Sequence, residues 1–208
     1  MTRNGDRGTH TPPLRGGLRM LLFVAAACVS GCTHTIALHD TDSSWHYRTE
    51  SPRQAGAAVI AVVDEQTLEK TYDFRAFSTG IGQKWVAQSG VMLGQVADVE
   101  FTQMVEFYER TTAYKESDRG DPRLTVVLNL PEYSFADFHA TLRIHADVYG
   151  PGKELLLSKD YPGVGANQAG KMVGLGAFGQ KSAVRQSSLD AFRLAFAQMR
   201  PDLLRLMQ

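Results

Sequence analysis

The sequence predicts an α+β fold: a single sheet of about four to five strands, largely antiparallel, with two amphipathic helices packed on one face. Three observations carry this. A continuous apolar run at 57–63 has the length of a buried strand, later runs alternate apolar and polar residues, and two stripes repeat at helical spacing. One sheet with both helices on the same side buries both stripes.

The elements follow in order. Ala57-Ala-Val-Ile-Ala-Val-Val63 is apolar throughout, which suits a strand covered on both faces. A weaker strand is expected over Thr71–Phe77. Ser89 is a suitable cap for a helix running to about Arg110, with Leu93, Ala97, Phe101, Met104, Val105 and Tyr108 along one side. Glu100, Glu106 and Glu109 lie off the centre of that stripe and read as solvated charges. A meander comes next. Leu124, Val126, Leu128 and Leu130 alternate, and so do Phe138, Ala140, Leu142, Ile144, Ala146 and Val148. His139, Thr141, Arg143, His145, Asp147 and Tyr149 stand between the latter, giving a long strand with one wet or partner-facing side. Gly150-Pro-Gly-Lys153 signals a turn, and Glu154–Tyr161 returns as a third strand. Val184, Ser188, Phe192, Ala195, Phe196 and Met199 mark a final helix that Pro201 should break, with a short terminal helix through Leu206.

The N-terminus carries a different signal. Arg3, Arg7, Arg15 and Arg19 stand against Asp6 alone, ahead of the apolar run Met20–Val29. That run is far shorter than the roughly 20 residues of a membrane-spanning helix, and its basic flank and small following residues make a secretory signal. Val29-Ser30-Gly31-Cys32 then resembles the lipobox of bacterial lipoproteins. The resemblance implies lipid attachment (palmitate and related acyl chains) at Cys32 and signal cleavage between Gly31 and Cys32. Thr33 follows where that family in two-membrane bacteria uses Asp for inner-membrane retention. The implied location is therefore the outer membrane, with the body facing the periplasm. The chain has two cysteines, and Cys28 falls within the discarded segment. The mature chain then has no disulfide to form, and acylation removes its lone thiol.

The organisation that follows is a removed signal at 1–31, a lipidated N-terminus and polar tether at 32–56, and a periplasmic α+β domain at 57–208. Loss of four Arg and one Asp with the signal leaves a mildly acidic body, which argues against nucleic acid and against a polybasic membrane patch. In element order, from the 57–63 strand to the 184–199 helix, the body resembles small envelope lipoprotein domains akin to the N-terminal domain of TolB.

Two nucleotide-binding patterns overlap in Gly165–Gly179. Gly165, Gly170 and Lys171 fit G-x-x-x-x-G-K, while Gly174, Gly176 and Gly179 fit G-x-G-x-x-G. Neither has its context: Met172 replaces the magnesium-binding hydroxyl, and no buried strand leads into Gly174. No nucleotide is expected. A mobile loop is the leading reading; a close-packing surface at Gly170 and Gly174, or a loop ordering on a partner or lipid through Met172, Val173, Leu175 and Phe178, are the others.

Candidate chemistry is sparse. Ser78 in Ala76-Phe-Ser-Thr-Gly80 lacks the strand-to-helix context of a nucleophile elbow. His34, His39, Asp40, Asp42 and His46 form a loose metal-like set in a polar stretch, where ordering costs the full chain entropy. His139 and His145 are six residues apart on one strand, about 20 Å, too far to share an ion. Asp64 and Glu65 read as turn residues. The expected function is therefore a non-enzymatic outer-membrane lipoprotein without cofactor or metal, an accessory or assembly subunit of an envelope transport or secretion complex. Its partners are the membrane through the lipid, an envelope protein and, as a further option, a second copy. The expected contact surfaces are the polar face of the 138–149 strand, the 163–180 segment and any open sheet edge. The alternative is a binding module for lipid, lipopolysaccharide or exported polysaccharide, with Phe135, Phe138, Tyr149 and Tyr161 as cleft walls.

Overall fold

The computed structural model describes residues 33–38, 53–76, 83–114, 123–174 and 176–208. In chain order the elements are β1 (Thr33–Ile36), β2 (Gln54–Val62), α1 (Glu65–Leu68), β3 (Tyr72–Ala76), β4 (Gln83–Ala87), α2 (Ser89–Met104), β5 (Val105–Thr111), β6 (Leu124–Ala136), β7 (His139–Tyr149), β8 (Leu155–Val164), α3 (Ala169–Gly174) and α4 (Gly176–Leu206). They build two sheets. Five strands lie in the order β5-β2-β6-β7-β8, and three in the order β1-β4-β3.

This corrects the expected single, largely antiparallel sheet with two helices. The chain is α+β, but it has two mixed sheets and four helices among the described residues. β2 runs parallel to both β5 and β6, and β1 runs parallel to β4, whereas β6-β7-β8 is an antiparallel meander. Two causes account for the difference. The helix expected to reach Arg110 ends at Met104, and Val105–Thr111 turns into an edge strand on β2. Its β-branched and aromatic residues suit a strand, and Tyr108 still reaches the helix from there, its ring stacked on Phe101 at 5.6 Å. Residues 33–38, placed by sequence in a tether, instead include β1 at Thr33–Ile36 and bury Ile36 and Leu38.

The large sheet has one inner face under the helices and one outer face. Along β7, Ala140, Leu142, Ile144, Ala146 and Val148 are buried and their alternates are not, as the period of two requires. Phe138 departs from the pattern and sits in the hairpin turn. On β6 the alternation is kept by a bulge: Asn129 pairs with His145, but Glu132, not residue 131, pairs with Arg143. Pro131 sits inside this irregularity, where its missing N–H disturbs the ladder least. The extra residue returns Tyr133 and Phe135 to the inner face. There Tyr133 stacks on Phe192 of α4 and meets Tyr72 edge-on, and Phe135 meets Phe74. The small sheet thus packs on the same side as α4.

The glycine-rich segment is not a loop. β8 runs to Val164, Asn167 Oδ1 accepts from Ala169 N at 2.9 Å to start α3, and α4 follows. Gly163 and Gly165 point at α4, and a Cβ on either would run into the backbone oxygen of Ala191 or Ser187. The P-loop-like Gly165 is therefore a packing glycine. Gly170 has open space where a Cβ would go, so the small-residue contact expected there is not made. α4 also continues through Pro201 to Leu206, against the expected break. An interior proline costs about 3 kcal/mol. Full burial of Leu203, worth about 1.5–3 kcal/mol, offsets most of that, and Asp202 adds contacts from Lys159 Nζ at 2.7 Å and Tyr161 Oη at 2.9 Å.

Gly165→Val should lower the urea midpoint at unchanged m-value, a loss of about 1–3 kcal/mol or more from overpacking against an immovable backbone. Asp137 and Phe138 form a two-residue hairpin turn with φ of 48° and 65°, a conformation that costs a side chain about 1–2 kcal/mol and suits glycine. Phe138→Gly should therefore raise the thermal midpoint by about 2–4 °C per kcal/mol recovered, read by circular dichroism.

Candidate functional site

The outer face of the meander carries the most organised polar cluster among the described residues. β7 contributes Arg143, His145 and Asp147, β8 contributes Ser158 and Asp160, and β6 contributes Glu132. Register brings them together: His145 lies opposite Asp160, Asp147 opposite Ser158, and Arg143 opposite Glu132. His145 Nδ1 is 2.7 Å from Asp160 Oδ1, and its Nε2 is 3.2 Å from Asp147 Oδ1 and 3.4 Å from Ser158 Oγ. Arg143 reaches Glu132 at 3.4 Å and Asp160 at 3.8 Å.

The Ser158–His145–Asp160 order has the outline of a nucleophilic triad. Its electrostatics oppose that use. The hydrogen bond with Asp160, aided by Asp147, raises the His145 pKa above the ordinary histidine value, and partial burial opposes this only in part. Nε2 also lies nearer Asp147 Oδ1 than Ser158 Oγ, and a raised pKa favours the protonated ring, which has no lone pair to offer a hydroxyl. The cluster is an array of acidic and basic side chains held by one another on one strand face.

His139, on the same face, contacts the Asp137 carbonyl at 3.1 Å and takes no part in the array. Asp64 accepts from Thr67 N at 2.6 Å and caps α1, a structural role. His34 stacks on Trp85 with centroids 4.6 Å apart. Glu100, read as solvated, is 5% exposed on α2. Met172, a proposed lipid or partner contact, is buried. Cys32, Gly31, Ser78, His39, Asp40, Asp42, His46 and Leu175 lie outside the described residues, as do the side chains of Val173 and Phe178. No group of three His, Cys, Asp or Glu side chains stands ready for a metal among the described residues, and no helix there is long and apolar enough to cross a membrane.

The four aromatics offered as walls of a ligand cleft do not share one. Phe135 and Tyr161 are buried on the inner face, Phe138 is at the hairpin tip, and Tyr149 meets Tyr114 at the far end of β7. The sheet edges differ. Pro162 interrupts the donors of β8, and its carbonyl accepts from Gln198 Nε2 of α4 at 2.7 Å. That stretch of edge is closed to a further strand. β5 forms the other edge, with Phe107 59% exposed.

Sequence reasoning placed Arg143, His145 and Asp147 on one face but missed Ser158 and Asp160. The available signal was their i, i+2 spacing on the returning strand, which becomes informative only once the hairpin register is known. No family model and no curated protein matches the chain.

The linkage has a definite sign. A histidine whose pKa is raised on folding contributes stability that is fully present below about pH 6.5 and lost as pH rises through the folded value. The His145 ring protons should titrate above the ordinary value by NMR, and Asp160→Asn should bring the midpoint down. A midpoint that stays put would remove Asp160 as the cause.

Proposed function

We propose that this chain is a lipoprotein of the outer membrane, its body facing the periplasm, and that it acts without catalysis as an accessory or assembly subunit of an envelope transport or secretion complex. The run Val29-Ser30-Gly31-Cys32, behind a basic segment and a short apolar stretch, carries the anchoring. A single acyl chain gives marginal, reversible membrane binding, whereas more than one makes a stable anchor. Multiple chains on Cys32 keep the protein at the membrane throughout its working life.

Contact with another protein is supported by the outer sheet face. Glu132, Arg143, His145, Asp147 and Asp160 are held by one another, so little ordering remains to be done on docking. Alternating charge of this kind sets register and partner choice more than raw affinity. The partner is an envelope protein; a second copy of this chain is the other outcome.

Cys32→Ser should move the protein from the membrane to the soluble fraction and abolish incorporation of an alkynyl fatty acid. Brief crosslinking followed by purification in mild detergent should recover a stoichiometric envelope protein with the native chain and at least tenfold less with Cys32→Ser. Arg143→Glu should weaken that recovery while leaving acylation intact. A native protein that is unlabelled and soluble would end the anchoring reading, and one recovered alone would end the subunit reading.

A further inference from the structure

Strand register shows which end of the body Thr33 occupies. Across the small sheet, His34, Trp85 and Phe74 form one row, and Thr33, Lys84 and Arg75 form the next. β3 runs beside β6 in the same direction. Thr67 meets Asn129, Lys70 meets the Leu130 carbonyl, Tyr72 meets Tyr133, and Phe74 meets Phe135 at 5.5 Å. The Thr33 row is therefore level with Ala136 and His139, which pair at the mouth of the β6–β7 hairpin. The chain reaches Thr33 directly from Cys32, and consecutive Cα atoms are about 3.8 Å apart.

The hairpin tip at this end is unusual. Phe138 holds a left-handed φ of 65° and is 41% exposed, although glycine suits that position better. An exposed aromatic kept in a costly conformation points to a use for the ring. The tip is also fixed. Gln168 N donates to the Phe138 carbonyl at 2.9 Å, and Asn167 Nδ2 donates to the Asp137 carbonyl at 3.1 Å. These bonds place the first turn of α3, with exposed Lys171, beside the tip. Lys84 is half-exposed in the Thr33 row and paired with Asp73 at 2.8 Å; Asp137 is the acidic residue of the tip.

We propose that this end rests directly on the bilayer, with Phe138 entering the headgroup region and the first turn of α3 beside it at the lipid surface. The inference rests on acylation of Cys32. With the acyl chains attached one residue before β1, no spacer separates lipid from body, and the aromatic tip shares the end that the lipid holds down. Aromatic and basic side chains are the residues that partition to this interface.

The test uses the full-length acylated protein reconstituted into vesicles of phosphatidylethanolamine and phosphatidylglycerol. With Cys32 acylated and Cys28 removed, a new cysteine is the sole thiol. An NBD fluorophore is placed at Lys171→Cys or at Glu154→Cys. Glu154 sits in the turn beyond the other end of β7, roughly 35 Å away at about 3.4 Å per residue. Headgroup-labelled nitroxide lipid should quench position 171 at least threefold more than position 154. Phe138→Gly, which relieves the turn and so keeps the fold, should reduce quenching at 171 by half or more. Equal quenching at both positions, in protein whose intact mass shows acylation, overturns this inference and leaves the anchor standing. Unchanged quenching in Phe138→Gly overturns the role of the ring. An intact mass without acyl chains overturns the anchoring reading and this inference with it.

Discussion

Gly163 and Gly165, two residues apart on β8, let the backbone of α4 settle against the strand where a side chain would hold it away. Many other contacts of the inner face presuppose that closeness. Ser187 Oγ accepts from Ala140 N at 2.8 Å, and Ser188 shares a hydrogen bond with the Tyr133 hydroxyl at 2.7 Å. Phe196 meets Phe101 of α2 edge-on, and Arg185 Nε donates to the Ala37 carbonyl at 2.7 Å. One helix therefore touches the meander, the second helix and the strand that opens the body. Buried hydroxyls such as Ser187 and Ser188 are tolerable because each has a partner at hydrogen-bond distance.

What the sequence made legible was local and periodic. The alternation from Ala140 to Val148 names the buried face of β7 without reference to anything else. The failures depend on distant partners. Val105–Thr111 continues the apolar spacing of α2, and only the neighbouring β2 makes it a strand. Pro201 breaks an isolated helix, but Leu203 and Asp202 hold this one to the body. Glycines at 163 and 165 look like loop residues until α4 is laid across them. The His145 cluster is hidden for the same reason, since half of it arrives on β8.

The two faces of the large sheet divide the work. The inner face holds the structure together through buried apolar contacts, and the outer face carries charges that are mutually satisfied at partial exposure. Exposed ion pairs of this kind contribute little to stability, about 0–1 kcal/mol each. They are better understood as a surface with a fixed pattern. The β8 edge is blunted by Pro162 and Gln198, which discourages unplanned strand addition beside that pattern.

β1 has a mechanical consequence. It is an edge strand parallel to β4; its Ile36 carbonyl accepts from Gln88 N, and just beyond it Ala37 and Leu38 accept from Arg185 and Gln95. A load applied at Thr33 along the strand axis strains all of these bonds together, in shear, whereas a sideways load would peel them one at a time. Force entering at the first residue of the body is thus shared at once by the small sheet, α2 and α4. A slack loop would yield first by extending; β1 would resist from its own first residue, as a fastener does.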